Sequence, residues 1–253
     1  MTGNWQAIDS HFDIVRWDAC SGSVRTMSQW LDSDKGPGNT EPDKAFSDSP
    51  EYLYLTPRQR RRLSTVSKLA LDVAVGCMDG QHQAPAVFAS RYGEVGRMAG
   101  LLEDICSGED ASPTDFSLSV HNTSSGLLSI QTGNQKPSTA ISAGHDSLGA
   151  GLIEAVSQLG AGLPEVLLVV FEDQMPDVYR CFGSRDEYPI AAAFLLKSGG
   201  SYRLSVRGGQ MIDSQVRAPF STFSQLRQLI GGVSGKRSTV ITGERMSCRI
   251  EKA

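Results

Sequence analysis

Long apolar runs are missing from this 253-residue chain: the longest strongly apolar one, Val166 to Phe171, is far too short to span a bilayer. The amino terminus, Met-Thr-Gly-Asn-Trp-Gln, has no charged stretch followed by an apolar one, so no secretory leader is expected. Cysteine is scarce. Cys20, Cys77, Cys106, Cys181 and Cys248 are odd in number and widely scattered, which fits neither a CxxC metal site nor a disulfide scaffold and points to a reducing cytoplasm. There is no excess of positive charge either: a formal net charge of −4 offers no field for nucleic acid. Histidine is restricted to His11, His82, His121 and His145, with none after that. What is present, 40% hydrophobic and 21% charged residues, is the composition of a globular protein long enough for one sizeable core.

Alternation of strand-like and helix-like segments predicts an α/β protein, a mainly parallel sheet flanked by helices. A strand is expected over Phe12 to Trp17 and a short helix around Val24 to Leu31. Residues 32–50, rich in Asp, Ser, Pro and Gly, read as a long flexible surface loop. Thr56-Pro57 opens a helix, and Leu63, Val66, Leu69, Ala70 and Val73 carry it at helical spacing to about Met78. Pro85 to Ser90 is an apolar strand and Gly93 to Ile105 a helix. Between them Arg91-Tyr92-Gly93-Glu94 reads as a structural turn with an Arg–Glu pair, or as a functional turn at a strand end. Val166 to Phe171 has the composition of a strand buried on both faces. Glu172-Asp173 ends it, with no third ligand at metal-binding spacing. Ile190 to Leu196 and Tyr202 to Val206, joined by Lys197-Ser198-Gly199-Gly200-Ser201, fit an antiparallel hairpin. Phe223 to Ile230 reads as a last helix and Ser238 to Ile241 as a short strand.

The centre of the chain is Ser112 to Leu159. Thr139-Ala140-Ile141 is strand-like, Ser142 to Asp146 is a turn of small residues, and Ser147 onward is helical. A strand therefore enters a helix N-terminus, where backbone N–H groups and the helix dipole favour negative charge. Gly149, Ala150, Gly151 and Ala155 beside Leu148, Leu152, Ile153, Val156 and Leu159 make that helix apolar almost all round. It needs cover on every side, either from residues 209–253 or from another protein.

The order Ser112-Pro113, Phe116-Ser117, Val120-His121-Asn122, Gly126, Pro137-Ser138, Ser142-Ala143 and Gly151 resembles the amino-terminal half of the beta-ketoacyl synthases, which have the thiolase-like fold. In that family a strand and turn present the active cysteine at the start of such a helix. The resemblance puts this position at Gly144, which cannot be acylated. The family also uses two histidines, or a histidine and an asparagine, well downstream of the cysteine, and this chain has no histidine after His145. Arg60-Arg61-Arg62-Leu63-Ser64, Phe88 to Glu94 and Phe116 to Asn122 are similar to the short forms called chain-length factors. The resemblance runs from about Leu55 to Gly208.

That resemblance implies a single ketosynthase-like domain over 1–253, mainly the amino-terminal half of the fold, with 190–253 the remnant of a truncated second half. It implies a non-catalytic subunit that forms a heterodimer with a full-length ketosynthase, meets acyl carrier protein indirectly, and needs no cofactor or metal. The pathway class would be polyketide, aryl-polyene or fatty-acid-type elongation. Phe116, Leu118, Val120, His121 and Asn122 would line or close the partner's acyl tunnel near the subunit interface. Arg58, Arg60, Arg61 and Arg62 are either a solvated face or a docking patch for the acidic carrier protein or the partner. From a different class, Ser147 or Ser119 with His121 or His145 could form a serine acyltransferase or hydrolase. Against it, a nucleophile elbow requires glycine two residues before the serine, and His145 stands there.

Overall fold

β1, Gln6–Cys20, is a strand of 15 residues, and the expected segment Phe12 to Trp17 is its middle. The computed structural model describes residues 5–32, 44–79, 83–182, 188–208, 221–235 and 237–253. After β1 come α1 (Met27–Asp32), α2 (Lys44–Ser47), α3 (Pro57–Arg60), α4 (Thr65–Cys77), β2 (Ala86–Ala89), α5 (Val95–Cys106), α6 (Pro113–Ser117), α7 (Thr123–Thr132), β3 (Ser138–Ile141), α8 (Ser147–Gly160), β4 (Glu165–Glu172), β5 (Ile190–Ser198), β6 (Tyr202–Gly208), α9 (Thr222–Ser234), β7 (Thr239–Thr242) and β8 (Met246–Lys252). The strands form one sheet in the order β3-β2-β4-β5-β1-β6-β8-β7.

Alternate residues of the central strands point to opposite faces, and the two faces have different cover. Val87, Ala89, Leu168, Val170, Ala192 and Phe194 pack on the side of α8 and α9. Phe88, Leu167, Val169, Phe171, Ala191, Ala193 and Leu195 pack on the side of α4. Both sets are buried, which is why β4 reads as an unbroken apolar run; each such Leu or Phe contributes roughly 1.5–3 kcal/mol.

The sheet is not mainly parallel. β2 runs parallel to β3 and β4, but the other neighbouring pairs are antiparallel. An apolar run reports burial on two faces and says nothing of the direction of its neighbours. The parallel part is the part whose connections contain helices long enough to cross over: α5 to α7 between β2 and β3, and α8 between β3 and β4.

β5 and β6 do not form a hairpin either. β5 pairs with the second part of β1, where Cys20 faces Ala191 and Phe12 faces Ser198. β6 pairs with the first part on the opposite edge, where Phe12 faces Tyr202 and Gln6 faces Val206. The chain changes sides of β1 at Gly199-Gly200, close against Asp13. A Cβ on Gly199 would overlap the Asp13 carboxylate, which accepts the Ser201 N–H at 2.8 Å. Hydrogen bonds from Ser201 hold the Asp13 carboxyl below its usual pKa.

Two further expectations change, and one left open is decided. The helix from Pro57 to Met78 is two helices, because Ser64 starts a new one by accepting the Ser67 N–H, while Thr56 and Gln59 cap the first reciprocally. Within the expected loop 32–50, residues 33–43 lie outside the described residues, but Lys44–Ser47 is helical. Phe46 is buried there against Trp30, Tyr188 and Phe223. Finally, the cover for α8 comes from the chain itself: Leu226, Leu229 and Ile230 of α9, with Ile241, Cys248 and Ile250 of the β7–β8 hairpin, share a core with Leu148, Leu152 and Val156. Small residues let α8 approach closely. A Cβ on Gly151 would lie 2.8 Å from Ala89 Cβ, and one on Gly149 would lie 3.1 Å from Cys248 Sγ.

Candidate functional site

The carboxyl ends of β2, β3 and β4, the mutually parallel strands, converge on one rim, the usual place for a site in a parallel α/β sheet. Ser90 follows β2, Ser142 follows β3, and Glu172 ends β4. A 3-10 turn, Gly144–Asp146, then leads from β3 into α8.

Gly144 stands at that turn with φ +61°, exposed, and with open space where a Cβ would be. The residues after it are committed to holding the turn. Asp146 is buried and accepts the N–H groups of Arg245 at 3.1 Å and Met246 at 3.3 Å, in a corner where a Cβ on Gly243 would overlap its carboxylate. Gln225 of α9 donates to the carbonyls of His145 at 2.8 Å and Thr242 at 2.9 Å. Ser147 is buried. Its hydroxyl accepts the Ala143 N–H at 3.0 Å and donates to the Gly144 carbonyl at 2.8 Å, so it closes the turn through bonds to the backbone. Ser119, the other serine considered, donates to the Phe116 carbonyl at 2.9 Å.

Facing Gly144 is the turn Ser90 to Glu94. Glu172 lies beneath it, fully buried, and accepts the backbone N–H of Arg91 at 2.7 Å and of Tyr92 at 3.3 Å, with the Ser90 hydroxyl at 3.3 Å. A buried carboxylate met by oriented backbone donors fixes the turn rigidly. From above, His121 Nε2 donates to the Ser90 carbonyl at 2.9 Å and its ring presses on Gly93, whose φ of +55° suits glycine. His121 thus helps to hold this turn. Arg91 does not pair with Glu94. Its Nη1 donates to His145 Nδ1 at 3.1 Å, which leaves the imidazole proton on Nε2, and its guanidinium stacks 4.3 Å from the Tyr92 ring centre. Tyr92 in turn donates to the Phe182 carbonyl at 3.1 Å.

The segment Phe116 to Asn122 is the end of α6 and the turn into α7. Phe116 is 66% exposed, Val120 and Asn122 are exposed, and Leu118 is half-buried. Met98, Leu102 and Ile105 on α5 and Ile130 on α7, the last 83% exposed, add to a surface unusually rich in bare apolar side chains. β3 beside it is an edge strand with Ser138 and Ala140 exposed. Val178 and Phe182 are exposed on the 3-10 segment Asp177–Phe182 that Tyr92 holds. Tyr92, Glu172 and Phe182 carried no signal of this arrangement in the sequence beyond the strand-end position of the first two.

Of the basic cluster, Arg58, Arg61 and Arg62 are exposed and form no ion pair among the described residues, whereas Arg60 donates to the Leu55 carbonyl at 2.8 Å and lies over the Tyr52 ring. Cys20, Cys77 and Cys248 are buried, and burial pushes their thiols up to about 11, 12 and 12, so none is a thiolate near neutral pH. Cys106 and Cys181 are exposed and lie away from Gly144 in sequence. Among the described residues no three His, Cys, Asp or Glu side chains converge as metal ligands, and no helix is long and apolar enough to cross a membrane.

Comparison with known proteins gives this rim a context. The model of the beta-ketoacyl synthase N-terminal domain family matches residues 29–244. A solved structure, the ketosynthase ApeO in complex with its chain length factor ApeC from Xenorhabdus doucetiae, contains a chain that is 28% identical, with a TM-score of 0.82, over 95% of this chain and 99% of that one. A chain of the ishigamide ketosynthase/chain length factor aligns over 96% and 99% with a TM-score of 0.72, and at 11% identity it shares the fold. A beta-ketoacyl synthase from Burkholderia phymatum STM815 shares the fold more loosely, with a TM-score of 0.56 over 90% of this chain and 71% of that one, at 12% identity. No protein with a curated description matches by sequence.

Proposed function

The chain belongs to the beta-ketoacyl synthase N-terminal domain family, with the thiolase-like fold, and from that premise we propose that it is the non-catalytic, chain-length-factor-like subunit of a ketosynthase pair. It forms a heterodimer with a full-length ketosynthase and shapes the acyl tunnel during polyketide, aryl-polyene or fatty-acid-type elongation in the cytoplasm. In this reading 1–253 is one domain, and 190–253 belongs to its second half, in which α9 and the β7–β8 hairpin cover α8.

The observation that carries the reading is Gly144. At the strand-to-helix junction where a ketosynthase would present its cysteine there is a left-handed glycine, followed by side chains that hold the turn, and no histidine follows His145 in the sequence. Without a nucleophile no acyl enzyme forms, and none of the residues after His145 is a histidine that could serve decarboxylation or enolate stabilisation. The serine alternative is disfavoured by the occupied Ser147 hydroxyl. For a partner, the support is the bare apolar surface of Phe116, Val120 and α5, next to the unpaired edge of β3. Arg58, Arg61 and Arg62 are available to dock the partner or an acidic carrier protein, and Arg60 is occupied at home.

The test is condensation of acyl- and malonyl-carrier protein by this chain alone, by the partner alone and by both. Product is expected only where the partner is present, and Gly144→Cys in this chain is expected to add a thiol that alkylates but no condensation. Turnover by the unaltered chain alone would overturn the reading.

A further inference from the structure

α6 is five residues long and none of its side chains is buried, so hydrophobic packing does not fix the helix that presents Phe116. Its position comes from polar ties. Ser112 caps it at the N-terminus, and at the other tie the Asp115 carboxylate is bound by Arg97 Nη1 of α5.

Arg97 is itself held from behind. Glu94 is buried, its Oε1 accepts the hydroxyls of Ser64 at 2.8 Å and of Ser67, and Ser67 lies 3.1 Å from the Ser124 hydroxyl. Both donors sit at the start of α4, where the helix dipole favours a negative charge. The other Glu94 oxygen accepts no hydrogen bond and faces Arg97 Nε at 3.8 Å; that Nε is also buried without an acceptor. The same guanidinium reaches the Arg62 carbonyl through Nη2 at 3.4 Å. One planar fork thus joins the start of α4, the exposed basic turn and the residue immediately before Phe116, a geometry that a single ammonium could not reproduce.

We propose that Arg97 is a positioning residue: through Asp115 it sets where Phe116 stands, and with it the length of product the pair makes. This rests on the tunnel-shaping reading above. The test uses the complex with the partner ketosynthase and two readouts, the product-length distribution and hydrogen exchange at the Phe116 and Leu118 amides, which bond the Ser112 and Thr114 carbonyls within α6.

Arg97→Gln and Asp115→Asn are each expected to speed exchange at those amides about tenfold, the loss of a charged hydrogen bond, while leaving the amides of α4 unchanged. Both should move products in the direction that Phe116→Ala moves them. Arg97→Gln combined with Phe116→Ala should move them no further than Phe116→Ala alone, and Arg97→Lys should restore only part of the wild-type distribution. Unchanged exchange in α6 of Arg97→Gln would overturn the proposal, whatever the products do. So would a Phe116→Ala complex with shifted products beside an Arg97→Gln complex with wild-type products and a lower Tm. If Phe116→Ala shifts nothing while exchange in α6 does respond, the positioning of α6 stands and it is the tunnel-shaping reading, with the link to product length, that fails.

Discussion

Asp72→Ala is expected to destabilise the chain by about 3–5 kcal/mol, the range for breaking a buried ion pair from one side. Asp72 is fully buried on α4. Its Oδ1 accepts the N–H of Tyr54 at 2.7 Å and of Leu55 at 3.1 Å, its Oδ2 accepts that of Leu53 at 3.2 Å, and Arg25 Nη1 lies 2.6 Å away. Arg25 also binds Asp18 at the end of β1 at 2.8 Å and the Glu51 carbonyl at 3.0 Å. One carboxylate therefore ties the long helix, the end of the longest strand and the segment that leads to the basic turn. Burial raises the Asp18 carboxyl despite Arg25, so Asp18 is a poor substitute anchor once Asp72 is gone. Removing Asp72 strands three backbone donors and leaves a guanidinium, 12% exposed, short of its second charge. For a chain of this size the shift in Tm should be roughly 10 °C by circular dichroism or scanning fluorimetry. A change below about 2 °C would mean that water or Asp18 replaces the lost contacts.

Phe116→Ala should lengthen the products of the reconstituted pair by at least one elongation unit, and Phe116→Trp should shorten them. Phe116 is a large side chain, 66% exposed on a helix that buries nothing of its own, so its bulk is offered outward and not used for the core of this chain. At the end of an apolar tunnel an added methylene either fits or clashes, a difference of about 1–3 kcal/mol and so of one to two orders of magnitude in the competition between extension and release. Because Phe116 contributes little to this chain's own packing, the variant should keep the wild-type Tm, which separates a change of tunnel from a change of fold. Mass spectrometry of extracted products gives the answer. An unchanged distribution in a complex that still forms would favour a subunit that scaffolds the synthase without touching the acyl chain.

The sequence disclosed best what depends on local pattern. Val166 to Phe171 is the buried strand its composition predicted, and the small residues of α8 mark close approach to Ala89 and Cys248. Helix ends carried by a single hydroxyl were harder. Ser64 splits the helix expected from Pro57 to Met78, and Ser112-Pro113 starts α6, although Phe116, Leu118 and Val120 alternate as a strand would. What depended on partners far away in sequence was invisible. Nothing local to Glu172 says that it holds the turn at Arg91, more than 80 residues away, and nothing in Gly199-Gly200 says that the chain there passes from one edge of β1 to the other. At the site, Gly144 and the absence of later histidines were legible because they are statements about residue identity. The roles of His121, Tyr92 and Arg97 were not, because they depend on which loops the fold brings together.

Co-expression with the complete ketosynthase encoded nearest its gene, followed by size-exclusion chromatography with light scattering, tests the central claim most directly. A stable one-to-one complex is expected, weakened by Val120→Glu or Ile130→Glu on the bare apolar surface and unaffected by charge added at the exposed Val15 on β1. A well-behaved monomer that ignores the synthase at micromolar concentrations would contradict it.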